Sequence, residues 1–419
     1  MRVAFGQFVV DTQVELLWKG GVEVRLRDQP LQILLALLRH HGEVVSRDTL
    51  RQQLWGNSTY VDFDNGLNTA ISRLREVLED DPANPTWIER VPKRGYRFIG
   101  SLPRSAAVAA YLKGHHVISP HTPESMQKSL AFFQEAMDLD SSYPLPYHGA
   151  ALTCILRCLL DDLRPREALA KADEYLQQGL RCPQKAGMVY NTLAMLRTFE
   201  RRWDEANEAS REAVALEPDN PYVRMIRAQL LTCRGQHDKA IHEATIATNI
   251  DPVHARANMH LTMAFYYARE WEACVRAGRA GMDVCPDVYI GIYTSLALLE
   301  LDRPEEALQL NLQNRHSGNL QAVELAFNSY IAAKAGVRDE AVTALAFLKQ
   351  SREHRYVPAI TLCWLELALG QDDSAMDWLR TACRDAELYL AWAHIAPMYD
   401  RLRARPDYGS VDSLLAARD

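Results

Sequence analysis

No cysteine occurs in the first 150 residues, and the eight that follow (Cys154, Cys158, Cys182, Cys233, Cys274, Cys285, Cys363 and Cys383) form no CxxC pair. Their spacing fits neither a zinc site nor a disulfide framework, so they read as small core residues in a reducing compartment. HExxH is absent, and the pairs His40-His41 and His115-His116 place neighbours on different helix faces, so no metal site is expected. Walker A, GxGxxG and GxSxG runs are also missing, which removes the usual fingerprints of nucleotide binding and hydrolysis. No cofactor and no enzyme activity are expected. Long apolar runs are lacking too. LQILLALL from Leu31 falls far short of the ~20 residues that span a bilayer. The N-terminal stretch MRVAFGQFVVDTQ, broken by Gly6 and Gln7, does not read as a signal peptide. The expected location is the cytoplasm, with no membrane partner.

What is present is an ordinary folding composition: 419 residues, 48% hydrophobic and 24% charged, with no low-complexity tract. At roughly 100–200 residues per domain, this length suggests two or three modules or one long repeat array. The net charge of −7 would repel nucleic acid if it were spread evenly. It is not. Residues 1–104 hold 14 Lys+Arg against 13 Asp+Glu, whereas the remainder holds 33 against 41. Within Pro85–Arg104, Arg90, Lys93, Arg94, Arg97 and Arg104 face only Glu89. A local basic patch of this kind, and not the total charge, is what meets a phosphate backbone.

The first hundred residues change period. RVAFGQFVV, VELLWKG and VEVRL are short, apolar and separated by turn signals, which predicts a small antiparallel sheet. Helical spacing follows: Gln29–His41 carries Leu31, Leu34, Leu35 and Leu38 on one face, with Gly42 as its stop. Ser46 is an N-cap for RDTLRQQLW, which turns Leu50 and Leu54 inward. FDNGLNTAISRLREVLED then predicts a third helix, with Asp64 or Asn65 as cap and Pro82 as stop. TWIERVPKRGYRFIG alternates like a hairpin with Pro-Lys-Arg-Gly at its tip, where Gly95 would permit the tight turn.

In the third helix, burial of Leu67, Ile71, Leu74 and Leu78 places Asn65, Thr69, Ser72, Arg73 and Glu76 outward at about 100° per residue, with Asn68 and Arg75 on the flanks. Arg, Asn, Thr and Ser are the side chains that read base edges in a major groove. Arg73 and Arg75 could equally solvate a helix face beside Glu76 and Glu79, and for Arg75 the two readings stay open. Trp18, Trp55 and Trp87 read as packing residues, since duplex readers seldom use stacking platforms.

The stretches RLRDQPLQILLALLRHHGEVVSRDTLRQQLW, VDFDNGLNTAISRLREVL and WIERVPKRGYRFIG resemble the DNA-binding domain of OmpR-type transcriptional regulators. The likeness is strongest to the receiver-free CadC and ToxR-like branch, in which this domain opens the chain. It covers about residues 3–100. It implies a winged helix-turn-helix on double-stranded DNA, with Asn65, Asn68, Thr69, Ser72 and Arg73 on the recognition helix. Lys93, Arg94 and Arg97 would lie on a wing beside the minor groove or backbone, and Arg47 and Arg51, with Trp55, would grip phosphates. With no receiver ahead of it, phosphoaspartate signalling is not expected.

Beyond residue 104 the pattern is helical throughout. AVALEPDN, ATNIDPVH and GMDVCPDV end in Pro218, Pro252 and Pro286, spaced 34 residues apart, the period of tetratricopeptide repeats (TPR). Small residues fall where such helices cross: Ala194, Ala228 and Thr262; Ala206, Ala240 and Cys274; Ala213, Ala247 and Gly281. By the same resemblance a concave surface is lined by Met188, Asn191, Met195 and Thr198, then Tyr222, Met225, Gln229 and Thr232, then Arg256, Met259, Met263 and Tyr266. Five of the eleven methionines fall on this face, which suits an adaptable groove for a protein partner or small effector. The competing reading, that they fill gaps between repeats, stays open.

The expected fold class is mainly α, an N-terminal winged helix-turn-helix (α+β) followed by an α-helical TPR solenoid. The expected division is 1–100 for DNA binding, 101–106 as linker, 107–390 as about eight repeats and 391–419 as cap. The expected function is promoter recognition by the winged helix, with the array as sensor, partner-binding or self-association module that could pair two copies on repeated half-sites. The alternative is a scaffold whose winged helix serves protein contacts.

Overall fold

The computed structural model describes residues 2–11, 15–26, 29–55, 63–100, 105–118, 122–315 and 321–416. The side chains of Trp55 and Asp64, the loop 56–62 and most of the expected linker lie outside the described residues. The chain divides into two compact units, Met1–Ala109 and Ala110–Asp419.

In the first unit, RVAFGQFVV is not one strand but two. Gly6, at φ 53°, folds it back so that β1 (Arg2–Phe5) pairs antiparallel with β2 (Phe8–Asp11), Phe5 opposite Phe8. A Cβ on Gly6 would also meet the Trp87 ring at 2.4 Å, so glycine is required there twice over. β3 (Leu16–Lys19) and β4 (Val22–Val24) complete a four-stranded meander. Next come α1 (Gln29–Arg39), β5 (Val44–Ser46), α2 (Arg47–Trp55), α3 (Phe63–Leu78), β6 (Ile88–Val91) and β7 (Gly95–Phe98). The second sheet runs β5-β7-β6.

The predicted one-sided stripe on α1 is too narrow. Ile33, Ala36 and Leu37 are buried with the four leucines, because α1 packs against α2, α3 and β7 together. Trp87 packs edge-on to Phe5 at 5.4 Å, as a core residue would. Helix α3 ends earlier than Pro82. Glu79 takes the left-handed conformation at φ 53°, with Asp80 N–H bonded to the Arg75 carbonyl at 2.9 Å and Glu79 N–H to that of Glu76 at 3.3 Å. That is a Schellman ending with glutamate where glycine is usual. Lys19 donates to the Glu79 carboxylate at 2.6 Å, fastening this helix end to the first sheet and holding its carboxyl below the usual range.

The second unit stacks helix pairs, eight among the described residues. They are α4 (Ser105–Val117) with α5 (Pro123–Leu139), α6 (Leu145–Leu159) with α7 (Pro165–Leu180), α8 (Gly187–Phe199) with α9 (Trp203–Leu216), and α10 (Pro221–Cys233) with α11 (His237–Ile250). They continue as α12 (Ala255–Tyr267) with α13 (Trp271–Val284), α14 (Val288–Glu300) with α15 (Pro304–Gln313), α16 (Ala322–Lys334) with α17 (Arg338–Arg352), and α18 (Ala359–Leu369) with α19 (Asp372–Asp385). The small residues at the crossings are buried, and Cys274 has its thiol 3.3 Å from the Thr262 carbonyl, where it packs. Within pairs the first helix ends at a left-handed residue: Asp161, Arg201, Gly235, Arg269, Asp302, Gly336 and Gly370.

After α19 the chain forms three short 3-10 turns (Leu388–Trp392, Pro397–Tyr399 and Pro406–Tyr408), α20 (Asp400–Arg403) and α21 (Gly409–Ala416). Two buried carboxylates tie distant parts of this unit. Asp161 accepts the Ala322 N–H at 2.8 Å, and Glu387 accepts those of Ala359 and Ile360 at 2.6 and 2.9 Å, capping α18 from outside.

Burial pushes the Glu387 carboxyl up to about 7, against the pull of those two N–H groups, and Asp161 up to about 6. A carboxyl raised on folding stabilises the fold while protonated. For Glu387 that contribution is complete below its usual 4.5 and is lost as pH rises through about 7. His148 and His260, each pushed down to about 3 by burial, act oppositely: their contribution is present above 6.5 and fades as pH falls. Comparison with Glu387→Gln isolates the carboxyl. The variant should gain on the order of 3 kcal/mol relative to the parent between pH 5 and pH 8 in denaturant unfolding. Parallel stability profiles would show that Glu387 does not titrate in this range.

Candidate nucleic-acid interface

α2 and α3 form the helix-turn-helix. Ser46 caps α2, its Oγ accepting the Thr49 N–H at 3.0 Å. α3 buries Leu67, Ala70, Ile71, Leu74 and Leu78, and turns Asn65, Asn68, Thr69, Ser72, Arg73 and Glu76 to solvent. Asn65 lies within the helix and not at its cap. The five expected reading residues therefore share one exposed face, though not on equal terms.

The Thr69 hydroxyl donates to the Asn65 carbonyl at 2.8 Å, which leaves its oxygen lone pairs and methyl for a ligand. Asn68 Oδ1 accepts from Arg47 Nη2 at 3.2 Å and from the Tyr96 hydroxyl at 3.4 Å. With both lone pairs engaged, Asn68 has only its amide N–H donors to offer. It suits a phosphate or a single base acceptor better than the paired contact an asparagine makes to adenine. Arg47 also donates to Tyr96 at 3.1 Å, so it bridges α2, α3 and β7. Arg51 is exposed and lies 3.9 Å from Asp48. Arg73 and Ser72 are exposed, and Arg73 has no ion pair among the described residues.

Arg75 is structural. It is buried, donates from Nη2 to the Ile88 carbonyl at 2.7 Å and lies 3.8 Å from Asp80. The Asp80 carboxylate accepts the N–H groups of Thr86, Trp87 and Ile88 at 2.6, 2.9 and 3.1 Å. By charge count Asp80 burdens a DNA-facing helix. In the fold it is buried and anchors the start of β6. The signal in the sequence was its place, directly after a helix end and ahead of a strand.

The wing is β6 and β7, joined through Pro92–Arg94, with the Arg94 N–H on the Val91 carbonyl at 3.1 Å. Gly95 does not make the tip. Lys93 takes the left-handed position at φ 62°. Gly95 stands in β7, where a Cβ would lie 2.0 Å from the Val45 carbonyl oxygen, so its role is close strand approach. Lys93 and Arg94 are exposed, with no ion pair among the described residues. Arg97 is not free: its Nε and Nη2 contact the Glu89 carboxylate at 2.8 and 2.5 Å across the hairpin.

The expected Met-lined groove in the second unit is not open. Asn191, Met195, Met225 and Met263 are buried, Met188 and Met259 half-buried, and only Tyr222 and Arg256 are exposed. Met225 packs with Ala247 and Ala257 between neighbouring pairs, and Met195 and Met263 join the main core with Phe199, Tyr267 and Trp392. Met225 thus fills a gap between repeats, whereas Met195 and Met263 are buried in a core that Trp392 from beyond the repeats also joins. Among the described residues no group of His, Cys, Asp or Glu is arranged to hold a metal ion, and no helix is long and apolar enough to cross a membrane.

Asp80→Ala should destabilise the first unit by about 3 kcal/mol, because it orphans three N–H groups and a buried guanidinium. Hydrogen exchange of residues 86–98 would rise first. Unchanged protection there would remove Asp80 from this role.

Comparison with known proteins matches residues 21–98 to the family model "Transcriptional regulatory protein, C terminal". The cholera toxin homolog transcriptional activator of Vibrio parahaemolyticus is 34% identical over 91 residues, 22% of this chain and 31% of that protein. The transcriptional activator CadC of Escherichia coli is 32% identical over 98 residues, 23% of this chain and 19% of its own. The matched stretch thus spans well under half of these relatives. Among solved structures, the Klebsiella pneumoniae RstA DNA-binding domain in complex with the RstA box is 32% identical over 23% of this chain and 95% of that chain (TM-score 0.21). A human IFIT1 dimer with PPP-AAAA covers 86% of this chain and 91% of its own at 12% identity (TM-score 0.50), a likeness of fold alone. The chain carries an OmpR-type winged helix-turn-helix over residues 21–98, followed by an array of TPR-like helix pairs.

Proposed function

We propose that this chain is a sequence-specific DNA-binding transcriptional regulator. Its winged helix reads duplex DNA, and its helical array receives a protein partner or small effector. The observation that carries the reading is the sorting of cations in the first unit. Arg75 is buried and Arg47 and Arg97 are tied to neighbouring side chains, whereas Arg73 on α3 and Lys93 and Arg94 at the wing tip stand exposed with no ion pair among the described residues. Three of the acids in this region are occupied, Glu79 with Lys19, Asp80 with backbone N–H groups and Glu89 with Arg97, while Glu76 shares the exposed face of α3 with Arg73. The family match over residues 21–98 and the transcriptional activators among the relatives support the same reading.

In this reading Thr69, Ser72 and Arg73 face base edges, Asn65 and Asn68 meet the backbone or a base acceptor, and Lys93, Arg94, Arg47 and Arg51 hold phosphates. Arg73→Ala should relax specificity at one base pair by about 1–3 kcal/mol, while Arg94→Ala weakens binding to all sequences and lowers the salt slope by about 1. Glu89→Gln is the sharper test. Releasing Arg97 should raise duplex affinity and steepen the salt slope by about 1. Electrophoretic or anisotropy titrations at several salt concentrations read all three. Absence of duplex binding at low salt would overturn the proposal and favour a scaffold.

A further inference from the structure

Residues 387–416 do not continue the repeat. They form short turns and two small helices laid back across earlier pairs. Trp392 packs against Phe199 at 6.0 Å and stacks on Tyr267 at 6.4 Å, at the ends of α8 and α12. Between them, Ile395 approaches Gly235, beyond the end of α10. Phe199, Cys233 and Tyr267 end three successive first helices at 34-residue spacing, so the segment crosses equivalent positions as a bound peptide crosses a repeat array.

Its polar contacts follow the same geometry. Glu387 caps α18, Asp400 accepts a bidentate pair from Arg269 at 2.7 Å each, and the Leu415 carbonyl accepts from Arg201 at 3.2 Å. Trp364 Nε1 donates to the Tyr399 hydroxyl at 2.5 Å. The packing is close: Tyr266, Tyr293, Phe327 and Trp364 on the array side and Trp392 on the segment leave a void of only about 10 Å³, no larger than one water, although the buried Trp392 indole N–H has no hydrogen-bond partner among the described residues. The Arg269–Asp400 pair is about half exposed on both sides.

We infer that residues 387–416 are an intramolecular ligand of the array, covering the surface that receives its partner. The partner that fits shares their chemistry: a segment with aromatic anchors for the Tyr266–Phe327–Trp364 floor, flanked by carboxylates for Arg269 and the N-terminus of α18. Partner binding then requires displacement of the chain's own segment. This rests on the proposal that the array receives a partner.

The test uses the full chain with a protease site inserted after Arg384, which is exposed at the end of α19, and a fluorescent synthetic peptide of residues 385–419. Uncut chain should not bind the peptide. After cutting, the array should keep its helical circular dichroism and exchange its resident segment for the labelled one. Arg269→Ala in the cut chain should speed release on the order of tenfold, the scale of one charge-assisted contact. Loss of helical signal on cutting, no exchange over days in excess peptide, binding to uncut chain, or release unaffected by Arg269→Ala would each overturn the inference. Because the probe is the chain's own segment, none of these outcomes depends on an outside partner. An array that fails to exchange leaves partner capture at another face to be tested by itself.

Discussion

The Asp80 carboxylate holds the first unit in the arrangement a DNA reader needs. It collects three successive backbone N–H groups at the start of β6 and faces the buried Arg75 of α3. A buried charge is tolerable only when its lone pairs are filled, and here they are filled by the strand it positions. The Arg75 guanidinium spans the same gap from the helix side, reaching the Ile88 carbonyl. Helix and wing are therefore fixed to each other by charge-assisted bonds at one end and by β7 packing on β5 at the other. The close approach of Gly95 to Val45 is the second half of that constraint.

Once those two fixings are made, the remaining cations acquire distinct roles. Arg47 bridges Asn68 and Tyr96, so the first helix of the motif, the recognition helix and the wing share one polar knot. Arg97 lies against Glu89. On α3 and at the wing tip, the cations left exposed with no ion pair among the described residues are Arg73, Lys93 and Arg94, a sparse set for an interface whose affinity comes from phosphate contacts. Economy of this kind weakens nonspecific attraction, and it raises the value of a second DNA-binding copy nearby.

Much of the first unit was legible in the sequence, and the reasons are local. α2 and α3 announce themselves by period, Ser46 by its capping position, and the wing by alternation around Pro-Lys-Arg-Gly. What was not legible depends on partners distant in sequence. β5 is three residues long and becomes a strand only beside β7. Gly95 and Lys93 exchange the roles that composition suggests, because the Val45 carbonyl decides one and the turn the other. Arg75 and Asp80 look like surface charges until Ile88 is placed. In the array the 34-residue period gave the helix pairs, but burial of Met195 and Met263 requires a core that Trp392 joins from outside the period.

The left-handed residues of the array show how closure is written into the repeat. Seven equivalent turns place a residue at positive φ, and Gly235, Gly336 and Gly370 meet that demand without strain. Asp161, Arg201, Arg269 and Asp302 meet it at a cost of roughly 1 kcal/mol each. Three of these four reach far along the chain: Asp161 to Ala322, Arg201 to Leu415 and Arg269 to Asp400. A glycine would relax the turn and remove the contact. Local propensity is thus given up where a side chain at the turn can grasp a distant segment. Glycine is retained at Gly235, where Ile395 comes within 4 Å of the position a side chain would take. At three successive copies of this position the C-terminal segment is held by Arg201, passes over Gly235 and is held again by Arg269.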